Sequence, residues 1–232
     1  MCGIFGVNAK YSVISPILDG LTKLEYRGYD SSGIAVIDEN KEIKTIRSKG
    51  KLINLKKKIS KIKINGKIGI GHTRWATHGV PSTTNAHPHT SDNVSIVHNG
   101  IIENYSLLKK ELLKKGYNFK SQTDSEVIAH LLSDQLKNHN AEVAIKMTMS
   151  KLEGAFAIAI IFKDLRLLAG ARKGSPLAVG VSDDATFIGS DSVALAPFTK
   201  KIIYLEEGDS VFIQDKELKI YNERFNEVKR KI

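Results

Sequence analysis

Residues 155–162 read Ala-Phe-Ala-Ile-Ala-Ile-Ile-Phe, leaving no polar side chain on either face of a strand. Such a block needs apolar cover on both sides. It heads a series of short apolar runs at 165–171, 177–181, 185–188, 201–205, 210–214 and 216–221, all predicted as strands. Residues 191–195 add a short helix. The first third of the chain mixes its signals. A strand at 3–9 precedes a helix at 14–24, and strands at 33–38 and 43–47 flank the turn Asp38-Glu39-Asn40. Within the lysine-rich stretch 51–67, Leu52, Leu55, Ile59 and Ile62 recur at three- and four-residue steps, so much of it reads as an amphipathic helix. A strand at 67–72 runs into residues 74–93, which are rich in Thr, Ser, His, Gly and Pro and lack periodicity. A loop that long inside a compact domain is more often functional than accidental. After a strand at 94–98, helices follow at 105–115, 123–137 and 141–152. The first ends at Gly116, and the second opens on Thr123-Asp124-Ser125-Glu126, a capping box.

Neighbouring strand signals are joined by short turns, which predicts antiparallel sheets and not strand–helix–strand crossovers. Two such sheets stacked face to face, with helices outside, cover every apolar face. The expected fold class is therefore α+β, a four-layer αββα sandwich, and the 232 residues are expected to form one domain.

Composition changes this picture little. Hydrophobic residues make up 41% and charged residues 26%, ordinary for a globular protein. No apolar stretch reaches the roughly 18–20 residues of a membrane span, and no basic segment precedes an apolar core as in a signal peptide. A single cysteine permits no internal disulfide, so the expected location is the cytoplasm. The net charge of +10 invites a nucleic-acid reading, but 28 of the 35 basic residues are lysine and not arginine. The densest run is the solvated face of the predicted lysine helix, with no interleaved aromatics. Neither nucleic acid nor membrane is an expected partner.

The single cysteine is Cys2, in Met1-Cys2-Gly3-Ile4-Phe5-Gly6. Removal of Met1, as expected before a small side chain, would leave a thiol and a free α-amine on one residue. The amine, with a pKa of roughly 7.7–8.0, could accept the thiol proton without a histidine. Read as structure alone, Cys2 is a small hydrophobe opening a buried strand. Four other segments offer chemistry beside an ordinary role. Arg74, in His72-Thr73-Arg74-Trp75-Ala76-Thr77-His78-Gly79, could clamp a carboxylate with donors added by Thr77 and His78, or simply stack on Trp75. Asn99-Gly100 is a strong hairpin-turn signal, yet an Asn amide and a Gly N–H can also form an oxyanion hole. Asp124 could pair with a substrate ammonium, or only cap its helix. Five of the seven histidines (72, 78, 87, 89 and 98) fall close together, but with no Cys pair and no His-Glu-x-x-His they argue weakly for a metal.

Together these stretches resemble class II glutamine amidotransferases, the N-terminal nucleophile hydrolases whose nucleophile is an N-terminal cysteine. Within that class the chain is most similar to the glutaminase domains of glucosamine-6-phosphate synthases, the isomerising glutamine–fructose-6-phosphate aminotransferases. The matching segments are C-G-I-F-G at 2–6, L-E-Y-R-G-Y-D-S-S-G at 24–33, G-H-T-R-W-A-T-H-G at 71–79, N-A-H-P-H at 85–89, V-H-N-G-I-I-E-N at 97–104 and T-D-S-E at 123–126.

The resemblance implies hydrolysis of L-glutamine to glutamate and ammonia through a Cys2 thioester. Asn99 and the Gly100 N–H would hold the oxyanion. Arg74, Thr77 and His78 would bind the α-carboxylate and Asp124 the α-ammonium, while Trp75 would sit on a closing loop. No metal or organic cofactor is implied. In the family a C-terminal sugar-isomerase part, absent from these residues, receives the ammonia for glucosamine 6-phosphate formation, and the full-length enzyme is expected to be a homo-oligomer. Alternatives are the glutaminase domain of another class II enzyme, such as amidophosphoribosyltransferase, or a basic binding module.

Overall fold

The computed structural model describes residues 2–76, 78–215 and 217–232; Met1, Thr77 and Lys216 lie outside it. The chain forms thirteen named strands and six α-helices among these residues. They run β1 (Gly3–Ala9), α1 (Ile14–Leu24), β2 (Ser31–Ile37), β3 (Ile43–Lys49), α2 (Leu52–Ile59), β4 (Ile68–Arg74), β5 (His89–Ser91) and β6 (Val94–Ile102). Three helices follow, α3 (Tyr105–Lys114), α4 (Glu126–Leu136) and α5 (Ala141–Lys151). The last third carries β7 (Gly154–Phe162), β8 (Leu167–Lys173), β9 (Ala178–Val181), β10 (Ala185–Gly189), α6 (Ser192–Leu195), β11 (Lys201–Tyr204), β12 (Ser210–Gln214) and β13 (Glu217–Tyr221). No helix among the described residues is long and apolar enough to cross a membrane.

The strands pair antiparallel in two sheets, ordered β11-β9-β10-β1-β4-β2-β3 and β13-β12-β8-β7-β6-β5. Three apolar clusters define the layers. One, containing Ile4, Ile68, Ile70, Val97, Ala159, Ile161 and Leu168, is sealed between the sheets. A second packs the first sheet against α1, α2 and α6 through Phe5, Ile17, Leu21, Leu55 and Leu195. The third packs the second sheet under α3, α4 and α5 through Ile96, Ile158, Ile160, Leu112, Leu132 and Ile145. The wholly apolar β7 thus has cover on both faces, and the four-layer αββα architecture follows.

Helix α1 approaches its sheet closely because small residues face it. A Cβ at Gly20 would lie 2.3 Å from the Phe5 ring. Methyls at Gly69 and Gly71 would meet Ile17 at 2.8 and 2.6 Å. The period-2 alternation of a strand then has a consequence for β4. With Gly69, Gly71 and Thr73 turned to the helix, Ile68 and Ile70 fill the inter-sheet core, and His72 and Arg74 continue that inward row to the rim. In β6, Val94 and Ile96 face the helical layer, whereas Val97 faces the other sheet and Asn99 follows it. The start of β1, the end of β4 and the later half of β6 therefore meet at one edge of the sandwich.

Several sequence expectations need correction. Asn99-Gly100 is no hairpin turn, because β6 runs on to Ile102 in register with β7. The Thr123–Glu126 capping box does not form. Helix α4 starts at Glu126, whose carboxylate instead accepts the N–H groups of Lys120 and Ser121 at 2.9 and 2.7 Å, while Thr123 Oγ1 meets His89 Nε2 at 3.0 Å. Helix α2 ends at Ile59, and Ile62 is half exposed beyond it. The long polar loop contains a short strand, β5, paired to β6 across a tight turn at Asp92. The expected strand start at Lys216 lies outside the described residues.

Candidate active site

Cys2 sits one residue ahead of β1, and the register Gly3↔Thr73 brings it to the end of β4. There the Trp75 N–H donates to Cys2 Sγ at 3.2 Å, and Sγ lies 3.5 Å from the Trp75 carbonyl. Burial pushes the Cys2 thiol up from its ordinary pKa, against the lowering effects of the Trp75 N–H and the positive charge of Arg74. A thiol in that position needs a base before it can attack.

Asn99 reaches the same spot from the other sheet. Its Nδ2 donates to the Cys2 carbonyl at 2.9 Å. That carbonyl can only accept, so the amide nitrogen faces Cys2 and Oδ1 faces away. Behind it, His72 Nε2 lies 3.0 Å from both Asn99 Oδ1 and the His98 carbonyl. Gly100 has φ +127°, and a Cβ there would fall 2.0 Å from the Ala155 carbonyl oxygen. The close approach that demands glycine is thus that of strand β7.

Arg74 is buried at the root of the loop that follows β4. Its Nη2 donates to the carbonyls of His78 and, at 3.2 Å, Gly79. Nη1 lies 3.9 Å from Asp30 Oδ1 and has no hydrogen-bond partner among the described residues. Asp30 accepts the Ala76 N–H and the Ser31 hydroxyl, and its own N–H donates to the Arg74 carbonyl at 3.1 Å. Sequence reasoning missed Asp30, although it stands in the 24–33 segment quoted for the resemblance. Trp75 is about half exposed and meets Tyr29 edge-on at 5.2 Å. His78 packs edge-on against Tyr105 at 5.8 Å and uses its carbonyl, not its ring, on Arg74. The expected contribution of Thr77 lies outside the described residues, as does the expected removal of Met1.

Asp124 is buried just before α4, and its Oδ2 accepts the Ile102 N–H at 2.8 Å. Among the described residues it forms no ion pair with Lys or Arg. Nearby, His98 Nδ1 bonds Ser125 Oγ at 2.8 Å. The structure thus gathers Cys2, Trp75 and Asn99 in direct contact, with Arg74 at the loop root. It sets Asp124 at the end of β6. Among the described residues no group of three or more His, Cys, Asp or Glu side chains is arranged to hold a metal.

A sandwich of two antiparallel sheets between helices, with a thiol at the very start of its central strand, defines the N-terminal nucleophile hydrolase class. The description "glutamine amidotransferase domain" matches residues 72–197. This chain belongs to that glutamine amidotransferase family. It is 52% identical over 233 residues to glutamine–fructose-6-phosphate aminotransferase (isomerizing) of Mesorhizobium japonicum and 48% identical over 232 residues to that of Bartonella henselae. Those alignments cover 100% and 99% of this chain but 38% of each relative. Among solved structures, glutamine phosphoribosylpyrophosphate amidotransferase of B. subtilis, complexed with ADP and GMP, superposes with TM-score 0.83 at 28% identity. That match covers 97% of this chain and 50% of the other. A class-II glutamine aminotransferase domain protein of Silicibacter pomeroyi shares the fold at TM-score 0.68 and 15% identity, covering 97% of this chain and 100% of the other.

Proposed function

We propose that residues 1–232 form the glutaminase unit of an isomerising glutamine–fructose-6-phosphate aminotransferase. The observation that carries this reading is the bond from the Asn99 amide to the backbone carbonyl of Cys2, which brings that amide to the cysteine at one rim, within a chain 52% identical to such an enzyme. After loss of Met1, the Cys2 α-amine takes the thiol proton and sulfur attacks the glutamine side-chain carbonyl carbon. A C–S bond forms, and the carbonyl oxygen becomes an oxyanion held by Asn99 Nδ2 and the Gly100 N–H. Collapse breaks the C–N bond, the amine returns its proton to the leaving nitrogen, and ammonia departs. Water then attacks the thioester, releasing glutamate and the thiol.

Glutamine is a zwitterion, so its recognition needs one fixed cation and one fixed anion. Among the described residues, Arg74 supports this with an Nη1 that lacks a hydrogen-bond partner, and Asp124 supports it as a buried carboxylate with no Lys or Arg partner. Each group is thus only partly satisfied, and a ligand carrying the opposite charge would complete it. Thr77 and His78 assist at the carboxylate, and the Trp75 loop closes over the substrate.

The ammonia goes to a C-terminal sugar-isomerase part of the longer protein, in keeping with the 38% span of the relatives, for conversion of fructose 6-phosphate to glucosamine 6-phosphate. The whole enzyme is a cytoplasmic homo-oligomer. A phosphoribosylpyrophosphate amidotransferase shares the fold, but at 28% identity the sequence favours the aminotransferase. A basic binding module is disfavoured by the assembled site. Glutaminase assays on Asn99→Ala test the assignment. Loss of one oxyanion donor is expected to cut kcat by about 10²–10³-fold with little change in KM. Parallel losses in kcat and KM would contradict it.

A further inference from the structure

His72 is fully buried, and the glutamine-binding roles above leave it without a task. Its position is set by strand alternation, two residues beyond Ile70 in the inward row of β4. From there its ring reaches across to the second sheet and ends on Asn99, whose amide bonds the Cys2 carbonyl. The two partners of Nε2 are oxygens, the His98 carbonyl and Asn99 Oδ1, each at 3.0 Å. Two acceptors require a donor, so the proton resides on Nε2.

We infer that His72 is a positioning residue for the oxyanion hole, holding the Asn99 side chain with Oδ1 turned inward so that its NH2 group faces Cys2 and the reacting carbonyl. Without that bond, rotation of the Asn99 amide about χ2 would exchange its ends, presenting an acceptor where an oxyanion has to form. One Nδ2 hydrogen is occupied by the Cys2 carbonyl, and His72 keeps the second available for the substrate. The function requires an uncharged ring with one defined tautomer. The surroundings supply this. Burial lowers the His72 pKa to about 3, outweighing the opposite effect of its hydrogen bonds to Asn99 and the His98 carbonyl. The His87 ring packs against the remaining side at 4.1 Å, itself kept neutral by burial. His72 Nδ1 has no hydrogen-bond partner among the described residues, so nothing there competes for the proton.

This inference rests on the oxyanion role proposed for Asn99, and two measurements separate the two ideas. Nitrogen-15 NMR of the histidine rings in the unsubstituted chain is expected to show His72 neutral with its proton on Nε2 from about pH 5 to 8. A proton on Nδ1, or a titration inside that range, would overturn the inference whatever the enzyme does. Kinetics of His72→Phe, which keeps the ring packing but removes the donor, is expected to show kcat lowered about five- to tenfold with KM for glutamine unchanged, the equivalent of one lost buried hydrogen bond. His72→Gln, whose amide nitrogen can replace Nε2, is expected to recover most of that loss. Wild-type kcat in the folded Phe variant, or equal loss in a folded Gln variant, would refute the positioning role. Absence of glutaminase activity in the unsubstituted chain would instead refute the underlying reading, leaving the tautomer measurement to decide the geometry.

Discussion

Gly100 would carry two demands on one residue: the proposed oxyanion role wants its N–H, and β7 wants its missing side chain. Replacing it with alanine forces a Cβ toward the Ala155 carbonyl at a φ that L-residues avoid. Gly100→Ala is therefore expected to destabilise the fold by at least about 1–3 kcal/mol in urea denaturation. A variant as stable as the parent would contradict the β6–β7 register. At this scale much of the candidate site stands out in the sequence, since Cys2, Arg74, Asn99 and Asp124, the residues proposed for it, each belong to a residue type with distinctive chemistry. Asp30 and His72 were not legible as parts of it. Their partners, Ala76 and Asn99, are joined to them by strand register and sheet stacking, which no local pattern reports.

Among the elements, the starts of α1, α3 and α5 fall at the expected residues 14, 105 and 141, whereas α4 starts three residues late and β5 was not expected, each for a physical reason. Apolar alternation fixes which face of β4 or β6 is buried, so His72 and Asn99 follow from Ile70 and Val97 once the sheets are stacked. Helix starts depend on which acceptor wins the free N–H groups. Glu126 serves Lys120 and Ser121 in the preceding loop, so the apparent capping box at Thr123 has no role. The same elements bury a row of imidazoles, with His72, His87 and His89 ring against ring at 4.1 and 4.7 Å. Burial lowers the pKa values of His72 and His89 to about 3 and that of His98 to about 4. The free-histidine value is about 6.5, so as pH falls the unfolded chain takes up these protons first. Their contribution is complete above about pH 6.5 and declines toward pH 4 and below, at up to about 1.4 kcal/mol per pH unit for each histidine. Denaturation midpoints measured from neutral to mildly acidic pH should fall steeply below about pH 6.5. A flat profile there would show that these rings are already protonated or solvated.

Across the whole molecule, the sandwich works as a frame that delivers one end of each sheet to a common rim. The first sheet brings the thiol and the Arg74 loop, and the second brings Asn99 and, past the end of β6, Asp124. The four-layer architecture was legible because β7 has no polar face and the strand signals that follow it are joined by short turns. Which strands would sit beside β1 was not legible, since β10 pairs with it from the far end of the chain. The central claim is that this rim is a glutamine site with Cys2 as its nucleophile. Its most direct test is an intact-mass and peptide-mapping measurement on chain freed of Met1 and incubated with 6-diazo-5-oxonorleucine, a glutamine analogue that alkylates such nucleophiles. A single adduct on Cys2, suppressed by excess glutamine, is the predicted result; a processed chain that stays unlabelled, or carries its adduct elsewhere, would contradict the account.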